Sequence, residues 1–364
     1  MIVKKLQLIN FRNYEKEEIS FDSGINVITG DNAQGKTNLL ESLIYLSLTR
    51  SYRIHEDKEL IMHGKEYARI SCIYEDDREK RIEAIISSNG KNLLVNKVPM
   101  NEQTLGAAKK LKMIAITATG YNIVDKAYTD SRKIAVANVS GYSTESVAQH
   151  TFALALYLVN QLAYYDNYVK SGEYVKSDIF SHFDKKIFEL AGKTWGIVGL
   201  GAIGRKVAQI AQSFGCRVIY YSTSGRNHNT EYQSVDLDTL LASSDILSIH
   251  APLSAATENF MNLEKFQKMK SSAILINVAR GPIVNERDLV TALNQGMIAG
   301  AGLDVISVEP MKADNPLLEI QDSGRLIVTP HIAWATGEAR QRVADETYLN
   351  IEAFLKGEKR NLVP

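Results

Sequence analysis

The chain has 364 residues, and its 42 Lys and Arg side chains balance 42 Asp and Glu side chains, so the formal net charge is zero. An apolar fraction of 45% predicts a soluble globular protein of two or three domains, and the balanced charge gives no general attraction to nucleic acid or to an anionic membrane. Because only Cys72 and Cys216 are present and no apolar run is long enough for a signal peptide or a membrane span, secreted and membrane-embedded classes are disfavoured and a cytoplasmic location is predicted.

The first predicted elements lead into a phosphate-binding loop. Residues 2–11 alternate between apolar and polar, which predicts a strand, and a second predicted strand, residues 25–28, runs directly into the sequence GDNAQGKT. The helical pattern NLLESLIYLSL follows, so the motif has the strand and the helix that a phosphate loop requires. Its glycines let backbone N–H groups surround phosphate oxygens, its lysine adds a positive charge, and its threonine can bind Mg²⁺. The residues predicted to bind ATP are Gly30, Asn32, Gly35, Lys36 and Thr37, with Thr37 as the Mg²⁺ ligand when ATP binds.

Residues 1–95 resemble the N-terminal lobe of RecF, a DNA-repair ATPase of the ABC/SMC type. The resemblance rests on KKLQLINFRNYE, GINVITGDNAQGKTNLLESLIYLSLTRSYR and DKELIMHG, and the runs ARISCIY and RIEAIIS read as paired strands before a hairpin turn at Asn89-Gly90. Such an ATPase also needs a Walker B strand ending in carboxylates and an LSxGQ-like signature, and neither follows. The segment has 14 basic and 15 acidic side chains, which does not favour DNA binding. We therefore expect nucleotide binding without efficient turnover, and no DNA partner for this partial lobe.

A second nucleotide-binding pattern follows a long helix, which is predicted over residues 145–163. The sequence KTWGIVGLGAIGRKVAQIAQSFGCRVIYYS then reads as strand, glycine turn, helix and strand. In that turn Gly199 permits the change of direction, Gly201 lets the backbone approach a pyrophosphate, and Gly204 allows close helix packing. The runs DILSIHA, AILINVARG, DLVTALNQG, AGAGLDVI and RLIVTPHI continue the alternation, which predicts a parallel sheet with helices on both faces.

Residues 96–364 resemble the D-isomer-specific 2-hydroxyacid dehydrogenases, and within them the glycerate dehydrogenase or hydroxypyruvate reductase branch. The resemblance rests on ATGYNIVD, NVSGYSTESVAQHTFAL, INVARGPIVNERDLVTAL, AGLDV, EPMKADNPLL and TPHIAWA, which occur in the order of the family. It implies an oxidoreductase that transfers a hydride between NAD or NADP and a small 2-hydroxy acid of the glycerate or glyoxylate type. It also allows a homodimer and implies no membrane partner.

The resemblance assigns three catalytic residues. Arg280, in NVARG, is similar to the arginine that binds the substrate carboxylate with its planar fork of donors. His331, in TPHIAWA, resembles the general acid that protonates the C2 carbonyl oxygen as the hydride arrives. Glu309 resembles the partner that orients His331 and favours its charged form. Each residue alone has an ordinary explanation, as a surface ion pair, a loop or a turn, but their shared motif context favours the catalytic interpretation.

The resemblance also assigns binding residues. The backbone amides of Ala118, Thr119 and Gly120 are expected to contact the substrate carboxylate together with Arg280. An NAD-preferring relative would end its second strand with Asp or Glu, whereas this chain reads YYSTSGR, whose hydroxyls and arginine could accept a 2′-phosphate. NADP is therefore expected to serve at least as well as NAD, and a solvent-exposed Arg226 remains the alternative. The predicted cofactor-binding residues are Gly199, Gly201, Ala202, Ile203, Gly204, Ser222, Arg226, Pro252, Val278, Ala279 and Asp304.

The predicted domains are a RecF-like phosphate-loop lobe over residues 1–95, a remnant of the substrate-binding domain over residues 96–121 and 306–364, and a dinucleotide-binding domain over residues 122–305. The fold class is therefore α/β: a doubly wound Rossmann domain with a truncated substrate lobe, preceded by a partial P-loop lobe of the ABC/SMC type. Because most of the substrate lobe's opening is missing, we expect impaired activity. Two alternatives stay open: a RecF-like ATP-binding DNA replication or repair protein with a foreign C-terminal segment, and a fusion or assembly accident with little activity.

Overall fold

The computed structural model describes residues 2–29, 35–48, 51, 53–54, 56–75, 79–87, 90–95, 99–106, 108–109, 111–225 and 229–363. The chain divides into two compact units. Unit 1 is Met1–Lys112 with Tyr121–Ala135, and unit 2 is Met113–Gly120 with Val136–Pro364. Within the ranges given above, no helix combines the length and apolarity that crossing a bilayer needs.

Unit 1 contains an antiparallel sheet. Its described strands are β1 (Ile2–Phe11), β2 (Tyr14–Ser20), β3 (Tyr67–Glu75), β4 (Glu79–Ser87) and β5 (Gly90–Val95). They pair in the order β2-β1-β3-β4-β5. Alternation in β1 buries Leu6 and Leu8 completely, as a strand with one face on a core requires. The strand prediction for residues 2–11 is confirmed.

The helix α1 (Lys36–Leu48) supplies the other side of this core. Its Leu39, Tyr45 and Leu46 are buried in one cluster with Ile70 and Ile86 of the sheet. The helix predicted after the phosphate-loop motif is therefore confirmed. Tertiary packing stabilises this helix, because thirteen residues are marginal for a helix in water.

The strand predicted over residues 25–28 is wrong. This segment forms no regular element, and Ile25 and Val27 leave 94% and 76% of their surface exposed. A strand in front of a phosphate loop needs neighbouring strands to satisfy its backbone groups. No described strand of unit 1 lies beside it, because the five-stranded sheet pairs only the strands named above.

The remainder of unit 1 carries two short helices, α2 (Glu102–Leu105) and α3 (Lys126–Ser131). Asn101 caps the first by accepting the Thr104 N–H, and Asp125 caps the second by accepting the Tyr128 N–H. The segments just before these two caps are also hydrogen-bonded to each other, since Met100 donates its N–H to the Ile123 carbonyl.

Unit 2 is built on a parallel sheet. Its strands among the described residues are β8 (Thr194–Val198), β9 (Arg217–Tyr221), β10 (Gln233–Ser234), β11 (Ile246–Ile249), β12 (Ile274–Asn277), β13 (Gly300–Leu303) and β14 (Leu326–Val328), and a separate pair is β6 (Met113–Ala115) with β7 (Ala135–Ala137). The large sheet has the order β10-β9-β8-β11-β12-β13-β14, and every pair in it is parallel. The predicted doubly wound fold is confirmed.

Helices cover both faces of this sheet. The helices described in unit 2 are α4 (Thr144–Val159), α5 (Leu162–Lys170), α6 (Ala202–Ser213), α7 (Leu237–Ser243), α8 (Leu263–Gln267), α9 (Glu286–Asn294) and α10 (Gly337–Leu355). On one face, Phe152 of α4 and Val207 of α6 are buried with Trp195 of β8. On the other face, residues of α7, α8 and α9 are buried with Leu247 of β11. A sheet buried on both sides explains why its strands read as continuous apolar runs.

The helix predicted over residues 145–163 is interrupted. It ends at Val159, and Gln161 takes a left-handed backbone conformation with φ 51° before α5 begins at Leu162. Short 3₁₀ turns elsewhere span Asp57–Leu60, Tyr174–Lys176, Gly281–Ile283, Pro316–Glu319 and Ser323–Arg325. The end of the chain returns to unit 2, where Asn138 donates its N–H to the Asn361 carbonyl.

Candidate active site

The described residues that the sequence predicts to bind a dinucleotide follow the carboxyl ends of neighbouring strands. Gly199 follows β8, Ser222 follows β9, Pro252 lies after β11, Val278 and Ala279 follow β12, and Asp304 follows β13. The strand order reverses between β8 and β11, since β9 lies on one side of β8 and β11 on the other. Such a switch point opens a crevice in which doubly wound proteins bind their ligands.

The three glycines of the turn have three different reasons to be glycine. Gly199 has φ 90°, and a Cβ there would lie 2.8 Å from the Ala251 nitrogen. A Cβ on Gly204 would lie 2.3 Å from the Gly199 oxygen, so helix α6 could not approach the strand. A Cβ on Gly201 would meet nothing within 4 Å. The fold requires glycine at positions 199 and 204, whereas the space beside Gly201 is open and a ligand would lie there.

The open space lies at the N-terminus of α6. Gly201 is the N-cap residue and accepts the Arg205 N–H, so the amides of Ala202, Ile203 and Gly204 belong to the first turn, whose donors have no partner within the helix. Backbone donors and the helix dipole together favour a phosphate group at this position. The residues present therefore fit the pyrophosphate of a dinucleotide.

The residues predicted to distinguish NAD from NADP are described only in part. Ser222 comes directly after β9, and no acidic side chain occurs from Tyr220 to Gly225. Arg226 lies outside the described residues.

His331 and Glu309 form a close pair. The Nδ1 atom of His331 lies 2.8 Å from Oε2 of Glu309, and the second carboxylate oxygen accepts the Ile306 N–H at 3.2 Å. A carboxylate on Nδ1 fixes the ring orientation and its tautomer, which leaves Nε2 as the atom available to another partner. Nε2 makes no hydrogen bond within the described part of the chain, and 35% of the His331 side chain is exposed.

Asp304 holds the turn that carries His331. Its carboxylate accepts the Thr329 hydroxyl at 2.6 Å and the amides of Ile332 and Ala333 at 2.9 and 2.8 Å, and its backbone carbonyl accepts the His331 N–H. Burial raises the pKa of this carboxyl, but the hydrogen bonds outweigh burial and leave the pKa below its ordinary value. The role of Asp304 in cofactor binding stays a prediction, while these contacts make Asp304 an anchor of the turn.

His331 needs that anchor because its backbone is left-handed, with φ 56°. A non-glycine residue in this region is held there by its surroundings, and such positions cluster at active sites. His150 of α4 adds to the same network, since its Nε2 lies 2.9 Å from the Thr329 hydroxyl and 3.4 Å from the Asp304 carboxylate.

Arg280 follows β12 in a turn shaped by Asn277. The buried Asn277 side chain accepts the Ala279 N–H at 3.0 Å and donates to the Arg280 carbonyl at 2.9 Å. Burial raises the pKa of the Tyr142 hydroxyl, and a hydrogen bond with Ser143 and the charge of Arg280 oppose that rise.

The Arg280 turn also abuts the loop that carries Glu309. A Cβ on Gly281 would lie 2.0 Å from the Ile306 carbonyl carbon and 2.4 Å from the Ser307 nitrogen. The two backbones therefore touch, and only glycine permits that approach.

The segment predicted to contact the substrate carboxylate lies in unit 2. The Ala118 carbonyl accepts the Val139 N–H, and the Thr119 carbonyl accepts the Asn138 amide. Within the described chain the amides of Ala118, Thr119 and Gly120 donate to no carbonyl. The structure joins Glu309 to His331 and places Arg280 beside their loop, and the role of these amides stays a prediction.

The sequence analysis missed Asn277, Tyr142, Thr329 and His150. Asn277 lies next to the Arg280 motif and Thr329 next to the His331 motif. Both could have been predicted, because each of these two turns needs a side chain to hold it. Nothing local indicates that His150 of α4 reaches the turn of Thr329, or that the Arg280 charge acts on Tyr142 in the loop before α4.

In unit 1, Gly30 and Asn32 of the predicted ATP site lie outside the described residues. Gly35 has φ 98°, and Lys36 and Thr37 open α1. No cluster of three or more potential metal ligands occurs among the residues that the structure describes.

Nearby, the buried Glu41 binds two arginines. Its carboxylate accepts Arg12 at 2.9 and 3.1 Å and Arg53 at 3.1 Å, and it also accepts the Ser51 hydroxyl. Burial raises the pKa of this carboxyl, but these partners hold it below its ordinary value. The network ties α1 to the end of β1.

Comparison with known proteins adds two family matches. Residues 152–333 match the model described as D-isomer specific 2-hydroxyacid dehydrogenase, NAD binding domain, and residues 5–151 match one described as AAA domain. A glycerate dehydrogenase of Methylorubrum extorquens is 42% identical over 270 residues, which are 74% of this chain and 84% of the relative. A hydroxypyruvate reductase of Blautia hydrogenotrophica is 39% identical over 80% of this chain and 91% of its own length.

Two solved structures are also similar to this chain. One is a D-lactate dehydrogenase from Aquifex aeolicus complexed with NAD and lactic acid, with 32% identity and a TM-score of 0.66 over 73% of this chain and 84% of that one. The other is an acyclic imino acid reductase in complex with NADPH and D-Arg, with 30% identity and the same TM-score over 73% and 83%.

Proposed function

Because this chain belongs to the D-isomer specific 2-hydroxyacid dehydrogenases, we propose that it interconverts a small 2-keto acid and its 2-hydroxy acid with NAD(H) or NADP(H). The observation that carries the proposal is the 2.8 Å contact between His331 Nδ1 and Glu309, in a loop that abuts the Arg280 turn. When bound at the glycine turn, the dinucleotide supplies or accepts the hydride.

Each residue of the site has one task in this proposal. Arg280 binds the substrate carboxylate through two parallel N–H donors, and the amides of Ala118, Thr119 and Gly120 add backbone donors to the same group. His331 donates the proton from Nε2 to the C2 carbonyl oxygen during reduction and removes it during oxidation. Glu309 keeps the ring oriented and stabilises the imidazolium that donates.

We propose hydroxypyruvate or glyoxylate as the keto acid. The support is the likeness to a glycerate dehydrogenase and a hydroxypyruvate reductase, and to relatives named glyoxylate reductase such as that of Thermofilum pendens, which is 39% identical over 78% of its length. Trp334 follows His331 by three positions and packs against the buried cluster of Val139, Tyr142, Ala339 and Val343.

The proposed domain division predicts reduced activity. In the sequence, residues 1–95 take the place of the first part of the substrate lobe. The remnant of that lobe is residues 96–121 and 306–364, and the dinucleotide domain is residues 122–305. A cleft without that opening cannot exclude water or align the keto acid, and misplacement by about 1 Å can cost about 100-fold in rate.

The test is NAD(P)H oxidation with hydroxypyruvate, in the natural chain and in a chain whose missing lobe has been restored. We expect the natural chain to be at least about 100-fold slower. Equal rates would mean that residues 1–95 replace the lobe. No turnover by either chain would contradict the roles given to Arg280, Glu309 and His331.

The same assay, run with NADH and NADPH, addresses the cofactor. We propose that NADPH serves at least as well as NADH, because Tyr220 to Gly225 supply hydroxyls and no carboxylate for the ribose. A strong NADH preference that Arg226→Ala leaves unchanged would contradict this proposal.

We also propose a homodimer and a cytoplasmic location. The segment after α4 exposes large apolar side chains, with Val175, Phe180 and Phe183 at 88%, 91% and 75%, and such a patch is typical of an interface. The free, buried Cys72 and Cys216 support a reducing compartment. A monomer in sedimentation velocity would contradict the dimer.

Unit 1 supports a second candidate function, which is nucleotide binding without turnover. The GDNAQGKT motif and the match to an AAA domain favour it. The finer proposal, a RecF-like DNA-repair role with ATP and Mg²⁺ at Thr37, is weaker, because the strand that should lead into the loop does not form.

We expect the natural chain to bind a fluorescent ATP analogue weakly and to lose that binding in Lys36→Ala, since the lysine charge pairs with the terminal phosphates. Phosphate release should stay at the background rate. Release that disappears in Lys36→Ala would contradict this proposal and reveal a carboxylate that supports hydrolysis.

A further inference from the structure

The loop that carries Glu309 is fastened at both ends by one buried side chain. Glu286, the first residue of α9, is 9% exposed. Its Oε1 atom accepts the Ser307 N–H at 2.5 Å, and its Oε2 atom accepts the Asn315 side-chain amide at 3.0 Å. Residues 307–315, here named the acid loop, are thus closed by a single carboxylate, and Glu309 lies between the two attachment points.

The partner at the far end of the loop has a fixed orientation. Asn315 is 8% exposed, and its Oδ1 atom accepts the Leu317 N–H at 2.9 Å, which caps the turn Pro316–Glu319. Its only donor group therefore points at Glu286. A side chain that faces both a backbone N–H and a side-chain amide N–H must accept a hydrogen bond at each of its two terminal atoms. A carboxylate does so, because both of its oxygens are acceptors.

The near end of the loop lies against the catalytic pair. The Ser307 amide held by Glu286 follows the Ile306 amide, which donates to Glu309 itself. On its other side the same backbone touches Gly281, next to Arg280. A shift of Ser307 therefore moves Glu309 relative to His331.

We infer that Glu286 is a positioning residue, which sets the contact between Glu309 and His331 without touching substrate or cofactor. The inference rests on the proposed function for its catalytic consequence. The motif that contains Glu286 gives it no role toward Glu309, and an acidic residue at a helix start ordinarily stabilises the helix dipole.

The test begins with Glu286→Gln. The new amide would face the Asn315 amide, so two donors would meet where a donor and an acceptor met before. We expect kcat for hydroxypyruvate to fall by about 10- to 100-fold, as a displaced Glu309 orients His331 less well, with unchanged NAD(P)H affinity.

Adding Asn315→Asp to that variant restores the pairing in reverse. The glutamine amide then donates to the introduced carboxylate, which still caps the Leu317 N–H because aspartate is a good N-cap. We expect most of the lost kcat to return. If Glu286 served only to stabilise α9, kcat would not recover in the double variant, because Asn315→Asp does not restore the charge of α9.

Asp288→Asn is the matched control. It removes one negative charge from the same helical turn, but Asp288 accepts the Leu263 N–H and does not touch the acid loop. We expect natural kcat in this variant.

A second readout does not depend on turnover. Selective labelling of histidine allows the imidazole NMR signals of His331 to report its contact with Glu309 in each variant. We expect these signals to shift in Glu286→Gln, to return in the double variant and to stay in place in Asp288→Asn. Unchanged signals in Glu286→Gln, or no recovery in the double variant, would overturn the inference. A natural chain that reduces no keto acid would instead contradict the proposed function, and the His331 signals would still decide the positioning role.

Discussion

Replacing His331 with Ala lowers kcat for keto acid reduction by roughly 10²–10⁴-fold, the usual contribution of a general acid. Without the ring, the proton for the C2 oxygen would have to come from water, while Arg280 and the glycine turn would still bind substrate and dinucleotide. We therefore expect KM for hydroxypyruvate to change much less than kcat. The measurement is steady-state NAD(P)H oxidation in the chain with the restored lobe, where we expect the higher activity.

His63→Ala provides a matched control, because His63 is an exposed histidine of unit 1. It should retain the natural rate. A His331→Ala variant that keeps the natural kcat would remove His331 from the chemistry, and equal losses in both variants would point to a general effect on folding.

Gly201→Val abolishes dinucleotide binding without unfolding the protein. Its backbone angles, φ −77° and ψ −161°, suit any residue, and a Cβ there enters open space, so the fold tolerates the change. The same side chain fills the space in front of the α6 amides, where the pyrophosphate would lie. We expect no NAD(P)H fluorescence enhancement, and a melting temperature close to that of the natural chain.

Substitutions at two other glycines serve as comparisons for this result. Gly204→Val should destabilise unit 2 itself, because its Cβ would lie 2.3 Å from the Gly199 oxygen. Gly24→Val, at an open position of unit 1, should change neither melting nor binding. Full fluorescence enhancement in Gly201→Val would place the dinucleotide elsewhere.

Local sequence predicted the parts of the fold that local patterns determine. The glycine turn between β8 and α6 has its own chemistry at each position, and the apolar runs of β11, β12 and β13 are those of strands buried on both faces. The pairing of Glu309 with His331, expected from the family resemblance alone, corresponds to the 2.8 Å contact in the structure.

Other features depend on distant partners and have no local signal. Residues 25–28 have the composition of a strand, yet a strand exists only where neighbours bond to it. Gln161 interrupts a helical pattern by adopting a left-handed conformation, which a glutamine gives no reason to predict. Glu286 reads as an ordinary acidic residue at a helix start, and only the folded chain brings Ser307 and Asn315 to its two oxygens.

The irregular segment before the phosphate loop bears on how the protein behaves at high concentration. Ile25 and Val27 are solvent-exposed, and their backbone groups bond to no other residue in the described part of the chain. An exposed apolar stretch with free backbone donors and acceptors is a template on which a second chain can add a strand. Stored solutions would therefore lose protein through aggregation that starts in unit 1, while the parallel sheet of unit 2 is still folded. Val27→Lys would place a positive charge in this exposed stretch, which disfavours pairing with a second chain. We expect solutions of this variant to aggregate more slowly in storage.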